Sequence, residues 1–95
     1  MRRPMGGGAG EGGIPVVTLY GREGCHLCEE ALKGLIALGS ERFRIELREV
    51  DIESDPELHR LMLERIPVVE IDGVEVSELV WDSDRTIARL ANLEE

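Results

Sequence analysis

The chain has 95 residues with 20 acidic and 11 basic side chains, which gives a formal net charge of −9 at pH 7. This length predicts one small domain, and the negative charge argues against nucleic acid and against an anionic membrane, since both need a positive surface. No run approaches the ~18 apolar residues of a transmembrane helix, so we expect partners to meet the domain at its surface.

The N-terminal residues 1–13 are rich in glycine and almost free of large apolar side chains. Such a segment cannot bury enough surface to offset the entropy of ordering, so we predict a flexible tail over 1–13 and a domain over 14–95. Glycines also occupy the place where a secretory signal has its apolar segment. We therefore expect a cytoplasmic protein, where a close cysteine pair is more often redox-active or metal-binding than structural.

The first ordered stretch, Ile14 to Tyr20, is mostly apolar and β-branched and predicts a strand buried on both faces. The two cysteines of the chain, Cys25 and Cys28, follow it as a Cys-x-x-Cys pair. The next segment predicts a helix that ends at Gly39. Its apolar residues recur at three- and four-residue spacing: Leu27, Ala31, Leu32, Leu35, Ile36 and Leu38.

This pattern places Cys25 at the N-terminus of a helix. The first N–H groups of a helix lack internal partners, and the peptide dipoles sum there to roughly half a positive charge. A thiolate is favoured at such a site, and the thiolate is the nucleophilic form of cysteine. Cys28 lies one turn later and should be covered by its own helix. We therefore predict that Cys25 attacks a substrate disulfide. Cys28 then attacks Cys25 in the resulting mixed disulfide and releases the reduced substrate.

Two further elements lead to the second half of the chain. Alternating apolar and polar residues over Ile45 to Ile52 predict a strand with one wetter face. Ser54 and Glu57 have the spacing of a capping box and predict the start of a second helix. That helix should end before Pro67, because the residue preceding a proline is disfavoured in the helical region.

The last elements are a hairpin and a helix. Val68–Ile71 and Val74–Val76 flank Asp72-Gly73, the pair that a type I′ turn favours. Asp82 or Ser83 can cap a final helix. The order β-α-β-α-β-β-α predicts an α/β fold in which a four-stranded mixed sheet carries helices on its two faces.

This order, the cysteine pair after the first strand, and Ile66-Pro67-Val68-Val69 at the start of the hairpin resemble a glutaredoxin-like protein of the thioredoxin-fold superfamily. The resemblance covers residues 14–92 and implies a thioredoxin-like three-layer fold. It implies a thiol–disulfide oxidoreductase with an electron-transport role, which reduces protein or glutathione mixed disulfides through a redox-active Cys25–Cys28 disulfide. It also implies a cis bond before Pro67, beside the cysteines, with the backbone of Ile66 pairing with bound substrate.

Further site residues follow from the same resemblance. Arg22 stands where glutaredoxins commonly carry lysine, and is expected to stabilise the Cys25 thiolate and bind the glycine carboxylate of glutathione. His26 lies between the cysteines, where a protonated ring would favour the thiolate. The Gly-Gly-aspartate of glutaredoxins is missing after the hairpin, where Ser77 is expected to replace it in part. That departure leaves glutathione and a reductase-type partner both open as the source of electrons.

Other interpretations of the cysteine pair stay open. It can form half of a zinc site, although the chain adds only His26 and His59 to its carboxylates, and tetrahedral zinc wants four ligands. It can hold a subunit-bridging iron–sulfur cluster, or the fold can serve as an interaction module. For the redox reading we expect a monomer without a tightly bound cofactor. Its reductant would be glutathione or another thiol, and its substrates would be disulfide-containing proteins or glutathione adducts.

Overall fold

The structure is a computed structural model that describes residues 13–93. The predicted tail lies outside these residues except for Gly13, so that prediction stays untested. The element order agrees with the predicted one: β1 (Val16–Gly21), α1 (His26–Glu41), β2 (Glu46–Asp51), α2 (Pro56–Met62), β3 (Val68–Ile71), β4 (Val74–Glu78) and α3 (Ser83–Leu93). Within residues 13–93, no helix combines the length and the apolar character needed to cross a membrane.

The four strands form one mixed sheet in the order β2-β1-β3-β4. β1 runs parallel to β2, to which α1 connects it, and antiparallel to β3, which in turn pairs antiparallel with β4. A helical crossover suits the parallel pair and a tight turn suits the antiparallel one. The predicted α/β fold with a four-stranded mixed sheet is thus confirmed.

The core lies on one face of the sheet, where α1 and α3 pack. Alternate residues of a strand point to the same face, so Val17 and Leu19 of β1 lie beside Val69 and Ile71 of β3. Burying each such aliphatic side chain contributes about 1.5–3 kcal/mol. The buried partners from the rest of the chain are Ala31, Leu35, Leu38, Phe43, Val76 and Leu90.

The opposite face of β1 is only half-buried, so the prediction of a strand buried on both faces was wrong. Val16, Thr18 and Tyr20 keep partial exposure, whereas Val17 and Leu19 on the core face are buried. The Tyr20 hydroxyl donates to Glu70 Oε1 at 3.2 Å. Burial, reinforced by the charge of Glu70, raises the pKa of Tyr20 above its ordinary value.

Helix α1 continues past Gly39, where the sequence predicts its end. A Cβ at Gly39 would lie 3.2 Å from Ile45 Cγ1, so this glycine lets the returning chain pass close to the helix. The helix also buries a narrower stripe than its periodicity predicts. Leu27 and Ile36 are 43% and 53% exposed, while the buried residues of α1 are Cys28, Ala31, Leu35 and Leu38.

Helix α2 is capped by Asp55, not by the predicted Ser54. Asp55 Oδ1 accepts hydrogen bonds from the N–H groups of Glu57 at 2.8 Å and Leu58 at 3.4 Å. Ser54 belongs to a 3₁₀ turn, Ile52–Ser54, and its hydroxyl donates to the Asp51 carbonyl at 2.6 Å. The capping-box spacing was therefore coincidental, because Ser54 belongs to the 3₁₀ turn and its hydroxyl bonds the Asp51 carbonyl and not the start of α2.

The hairpin turn agrees with the prediction. Asp72 and Gly73 have φ values of 52° and 84°, both positive, as a type I′ turn requires. Asp72 also ties the turn to β1, since its Oδ1 accepts from the Val16 N–H at 2.9 Å and its N–H donates to the Val16 carbonyl at 2.8 Å.

Candidate active site

Cys25 is the N-cap residue of α1, as the sequence predicts. Its backbone is extended, with φ −95° and ψ 107°, and its Sγ accepts a hydrogen bond from the Cys28 N–H at 3.1 Å. Its carbonyl accepts from the Glu29 N–H at 3.1 Å and so begins the helix. The sulfur therefore lies at the first N–H groups of the helix, which stabilise negative charge there.

The two cysteines form a disulfide, and their exposure differs. Their Cα atoms are 5.2 Å apart. Cys28 is only 6% exposed, whereas Cys25 is partly exposed at the end of the helix. A molecule that approaches from solvent therefore meets Cys25 first.

Gly21, the last residue of β1, makes room for the buried sulfur. A Cβ at this position would lie 3.0 Å from Cys28 Sγ and 3.1 Å from Cys28 Cβ. A side chain at Gly21 would therefore displace Cys28 from the sheet. Gly21 is not among the predicted site residues, although a glycine directly after an apolar strand signals close approach of another element.

Ile66 and Pro67 lie at the same end of the sheet as the cysteines. Tyr20 pairs with Val68, the first residue of β3, so Pro67 lies just before β3 beside the end of β1. The Ile66–Pro67 peptide bond is cis, and Pro67 is buried. The Ile66 N–H donates to the Met62 carbonyl at 3.1 Å. The pairing of the Ile66 backbone with a substrate stays a prediction.

Arg65 fixes the segment that precedes Pro67. Its guanidinium donates to Glu75 and, at 2.6 Å, to Glu78 Oε1, so it joins this segment to β4. The hydrogen bonds to Glu75 and Glu78 raise the pKa of Arg65, so the guanidinium stays positively charged at every ordinary pH.

Leu79 follows β4 in a strained conformation next to this segment. Its φ is 74°, a value that costs about 1–2 kcal/mol for a residue with a Cβ, and its side chain is 49% exposed. Its N–H donates to the carbonyls of Arg65 at 2.9 Å and Pro67 at 3.0 Å, and these bonds hold the turn in place.

Replacing Leu79 by glycine should therefore stabilise the oxidised protein by about 0.5–1 kcal/mol, because glycine adopts this φ without strain. Urea unfolding measures the change. The matched control is Val80→Gly, which removes a neighbouring side chain of 58% exposure at a residue without positive φ and should lower stability. Equal shifts for the two variants would show that φ at residue 79 is not the cause.

The predicted polar residues Arg22 and His26 are exposed and paired with carboxylates. Arg22 Nη1 lies 3.3 Å from Glu53 Oε2, which belongs to the 3₁₀ turn. His26 Nε2 lies 3.1 Å from Glu30 Oε2, one turn along α1, and the His26 side chain is 80% exposed. Within the described residues, neither side chain donates to a cysteine sulfur, so their predicted roles stay predictions.

Ser77 lies inside the sheet, and its predicted substrate-binding role stays a prediction. It pairs with Val69 in the β3–β4 ladder and is 8% exposed. Its Oγ is buried without a hydrogen-bond partner among the described residues. Ser77 is not among the residues that line the groove described next.

A groove of about 320 Å³ runs beside the buried sulfur, between α1 and the ends of β1 and β2. The parallel pairing of β1 with β2 brings Glu49 and Asp51 opposite Leu19 and Gly21, and thus next to the cysteine loop. The groove is lined by Leu19, Gly21, Arg22, Glu23, Gly24, Cys28, Glu29, Leu32, Glu49, Val50 and Asp51.

The described part of the chain, residues 13–93, contains no group of three or more histidine, cysteine, aspartate or glutamate side chains arranged to hold a metal ion. The arrangement of the cysteines instead matches what thiol–disulfide exchange requires. One sulfur is accessible at a helix N-terminus, and the second lies within bonding distance behind it.

Comparisons with known proteins agree with this architecture. The model of the glutaredoxin-like domain family (DUF836) matches residues 16–91. The protein Ne2328 from Nitrosomonas europaea is 32% identical, with a TM-score of 0.68 over 95% of this chain and 99% of that one. The protein XcR50 from X. campestris is 30% identical, with a TM-score of 0.66 over 80% and 96% of the two chains.

A mutant thioredoxin from Halobacterium salinarum has the same fold at 19% identity, with a TM-score of 0.63 over 85% of this chain and 75% of that one. No curated protein matches the chain.

Proposed function

The chain belongs to the glutaredoxin-like domain family, and from this premise we propose that it is a thiol–disulfide oxidoreductase that reduces mixed disulfides. The observation that carries the proposal is the unequal placement of the two sulfurs. Cys25 caps α1 and is partly exposed, while Cys28 lies behind it and is 6% exposed. This placement separates an attacking sulfur from a resolving one.

The reaction begins with both cysteines reduced. The Cys25 thiolate attacks one sulfur of the substrate disulfide, a new S–S bond forms, and the other half of the substrate leaves as a thiolate that takes up a proton. The N–H of Cys28, which donates to Cys25 Sγ in the oxidised state, stabilises the attacking thiolate. The carbonyl of Ile66 can accept a hydrogen bond from the substrate backbone and align it beside Pro67.

Cys28 completes the exchange. Its thiolate attacks Cys25 Sγ, the Cys25–Cys28 disulfide forms, and the bound half of the substrate leaves as the second thiol. Two electrons have then passed from the protein dithiol to the substrate disulfide. A low-molecular-weight thiol or a dithiol reductase returns them and restores both cysteines.

Alkylation of the reduced protein tests the proposal. We expect iodoacetamide to modify Cys25 well before Cys28, with a rate that titrates at a pKa below the ~8.5 of a free cysteine, because the helix N-terminus favours the thiolate. Peptide mass spectrometry assigns the modified residue at each pH. Urea-unfolded protein is the control, in which both cysteines should react at similar rates.

A direct assay accompanies this titration. The reduced protein should convert the neutral 2-hydroxyethyl disulfide to its thiol faster than dithiothreitol does at equal concentration. A Cys25 that titrates at or above the free-cysteine value, together with no exchange beyond that of the small thiol, would exclude the oxidoreductase function.

A further inference from the structure

The surface around the disulfide is acidic, although the basic side chain of Arg22 lies in it. Four carboxylate residues line the groove beside Cys28, and they come from the cysteine loop, the first turn of α1 and the end of β2. They are Glu23, Glu29, Glu49 and Asp51. The chain has a formal net charge of −9, and part of this negative charge lies in the groove beside the disulfide.

The basic groups at the site are already matched by acids. Arg22 lines the same groove, but its guanidinium lies 3.3 Å from the carboxylate of Glu53. His26 lies 3.1 Å from the carboxylate of Glu30. An incoming anion would therefore share Arg22 with Glu53, and would still face the groove carboxylates.

From this charge distribution, and resting on the proposed function, we infer that the substrate disulfide lies in a cationic protein segment. Such a segment has lysine or arginine residues next to its disulfide, and these can pair with Glu23 and Glu49 while the sulfur reaches Cys25. Glutathione has two carboxylates and one ammonium group, so the same field repels it. The preferred substrate is therefore a cationic protein disulfide, and not the glutathione disulfide that the resemblance implies.

The size of the site allows the field to act. Charges that line one groove of about 320 Å³ act together on a bound molecule, because the Debye length at 0.1 M salt is ~10 Å. Clefts lined by charge of one sign change the association rates of charged ligands by about 10- to 1,000-fold, and salt removes the effect. The charge of the substrate should thus govern the rate of encounter.

The test uses prereduced protein in single-turnover reactions, so that no external reductant takes part. Three small disulfides serve as probes: cystamine with two ammonium groups, neutral 2-hydroxyethyl disulfide, and anionic oxidised glutathione. Each rate of Cys25–Cys28 oxidation, measured by acid quench and mass spectrometry, is divided by the rate of the same disulfide with dithiothreitol. This ratio removes the intrinsic reactivity of each probe.

We expect the normalised rate to fall from cystamine to the neutral disulfide to oxidised glutathione, with the first about 10-fold or more above the last at low salt. The difference should shrink to within about twofold at 1 M salt, where the Debye length is about 3 Å. The double variant Glu23→Gln/Glu49→Gln should reduce the difference between the cystamine and oxidised-glutathione rates at low salt. The control Glu41→Gln/Glu64→Gln removes the same charge from exposed residues outside the groove, and should leave it largely intact.

The outcomes separate the two claims. If no probe reacts faster than with dithiothreitol, the proposed function fails. If the probes react but oxidised glutathione equals or exceeds cystamine at low salt, the function stands and the inference is overturned. If both double variants narrow the difference equally, the total charge of the protein acts and the groove does not, which also overturns the inference.

Discussion

Replacing Cys25 by serine should lower the rate of disulfide exchange by about a thousandfold or more, because the serine hydroxyl stays protonated and cannot replace a thiolate nucleophile. The remaining sulfur, Cys28, is 6% exposed and lies behind Gly21, so it reaches a substrate poorly. Cys28→Ser should behave differently. Its Cys25 can still attack, but the mixed disulfide has no internal thiol to resolve it.

The measurement is intact-protein mass after reaction with 2-hydroxyethyl disulfide. Cys28→Ser should accumulate a stoichiometric adduct on Cys25, whereas Cys25→Ser should stay almost unmodified and the reduced wild type should pass directly to its internal disulfide. Circular dichroism of each reduced variant controls for folding. Adduct formation on Cys28 in Cys25→Ser, at the rate seen for Cys25 in Cys28→Ser, would reverse the assigned roles.

Local patterns were sufficient wherever the deciding contacts are close in sequence. The Asp72-Gly73 pair predicts a turn whose two φ values are positive, because those two residues alone must adopt them. The apolar spacing after Cys28 predicts a helix that begins at Cys25 for the same reason. The placement of the two sulfurs at the start of α1 was predictable because both belong to this local motif.

Predictions that depend on how neighbouring segments pack and turn were less successful. Gly39 has the sequence appearance of a helix stop, yet the approach of Ile45 explains it. Ser54 has the spacing of a cap, yet the 3₁₀ turn after β2 takes it up and Asp55 caps the helix. The apolar spacing places Leu27 on the helix face that is predicted to be buried. The packing of α1 on the sheet decides which residues of that face are covered, and Leu27 stays 43% exposed.

The acidic groove has the same origin. Glu49 and Asp51 are more than twenty residues from the cysteine loop, and the parallel β1–β2 pairing brings them there. Arg22 is predicted from its position to face the sulfur, but its nearest acid in space is Glu53, thirty-one residues later. The sequence therefore predicts the local cysteine motif better than it predicts which charged side chains surround it.

Gly34 should be the glycine whose replacement by alanine costs most stability. A Cβ at Gly34 would overlap the indole ring of Trp81, which packs across this turn of α1. Overpacking of this kind costs about 1–3 kcal/mol, while alanine in a helix gains about 1 kcal/mol over glycine. We expect Gly34→Ala to destabilise the protein by about 1–2 kcal/mol in urea unfolding.

Two comparisons isolate the indole as the cause. Gly39→Ala lies on the same helix and meets only the flexible end of Ile45 at 3.2 Å, so helix propensity should leave its stability equal or slightly higher. In a Trp81→Ala background, Gly34→Ala should become stabilising by up to about 1 kcal/mol, because the overlap is gone. A loss of the same size with and without the indole would place the cost in the backbone of α1. The sequence alone, in which a helical glycine signals only weakness, predicts the opposite sign for Gly34→Ala, so this substitution tests the packing of Trp81 directly.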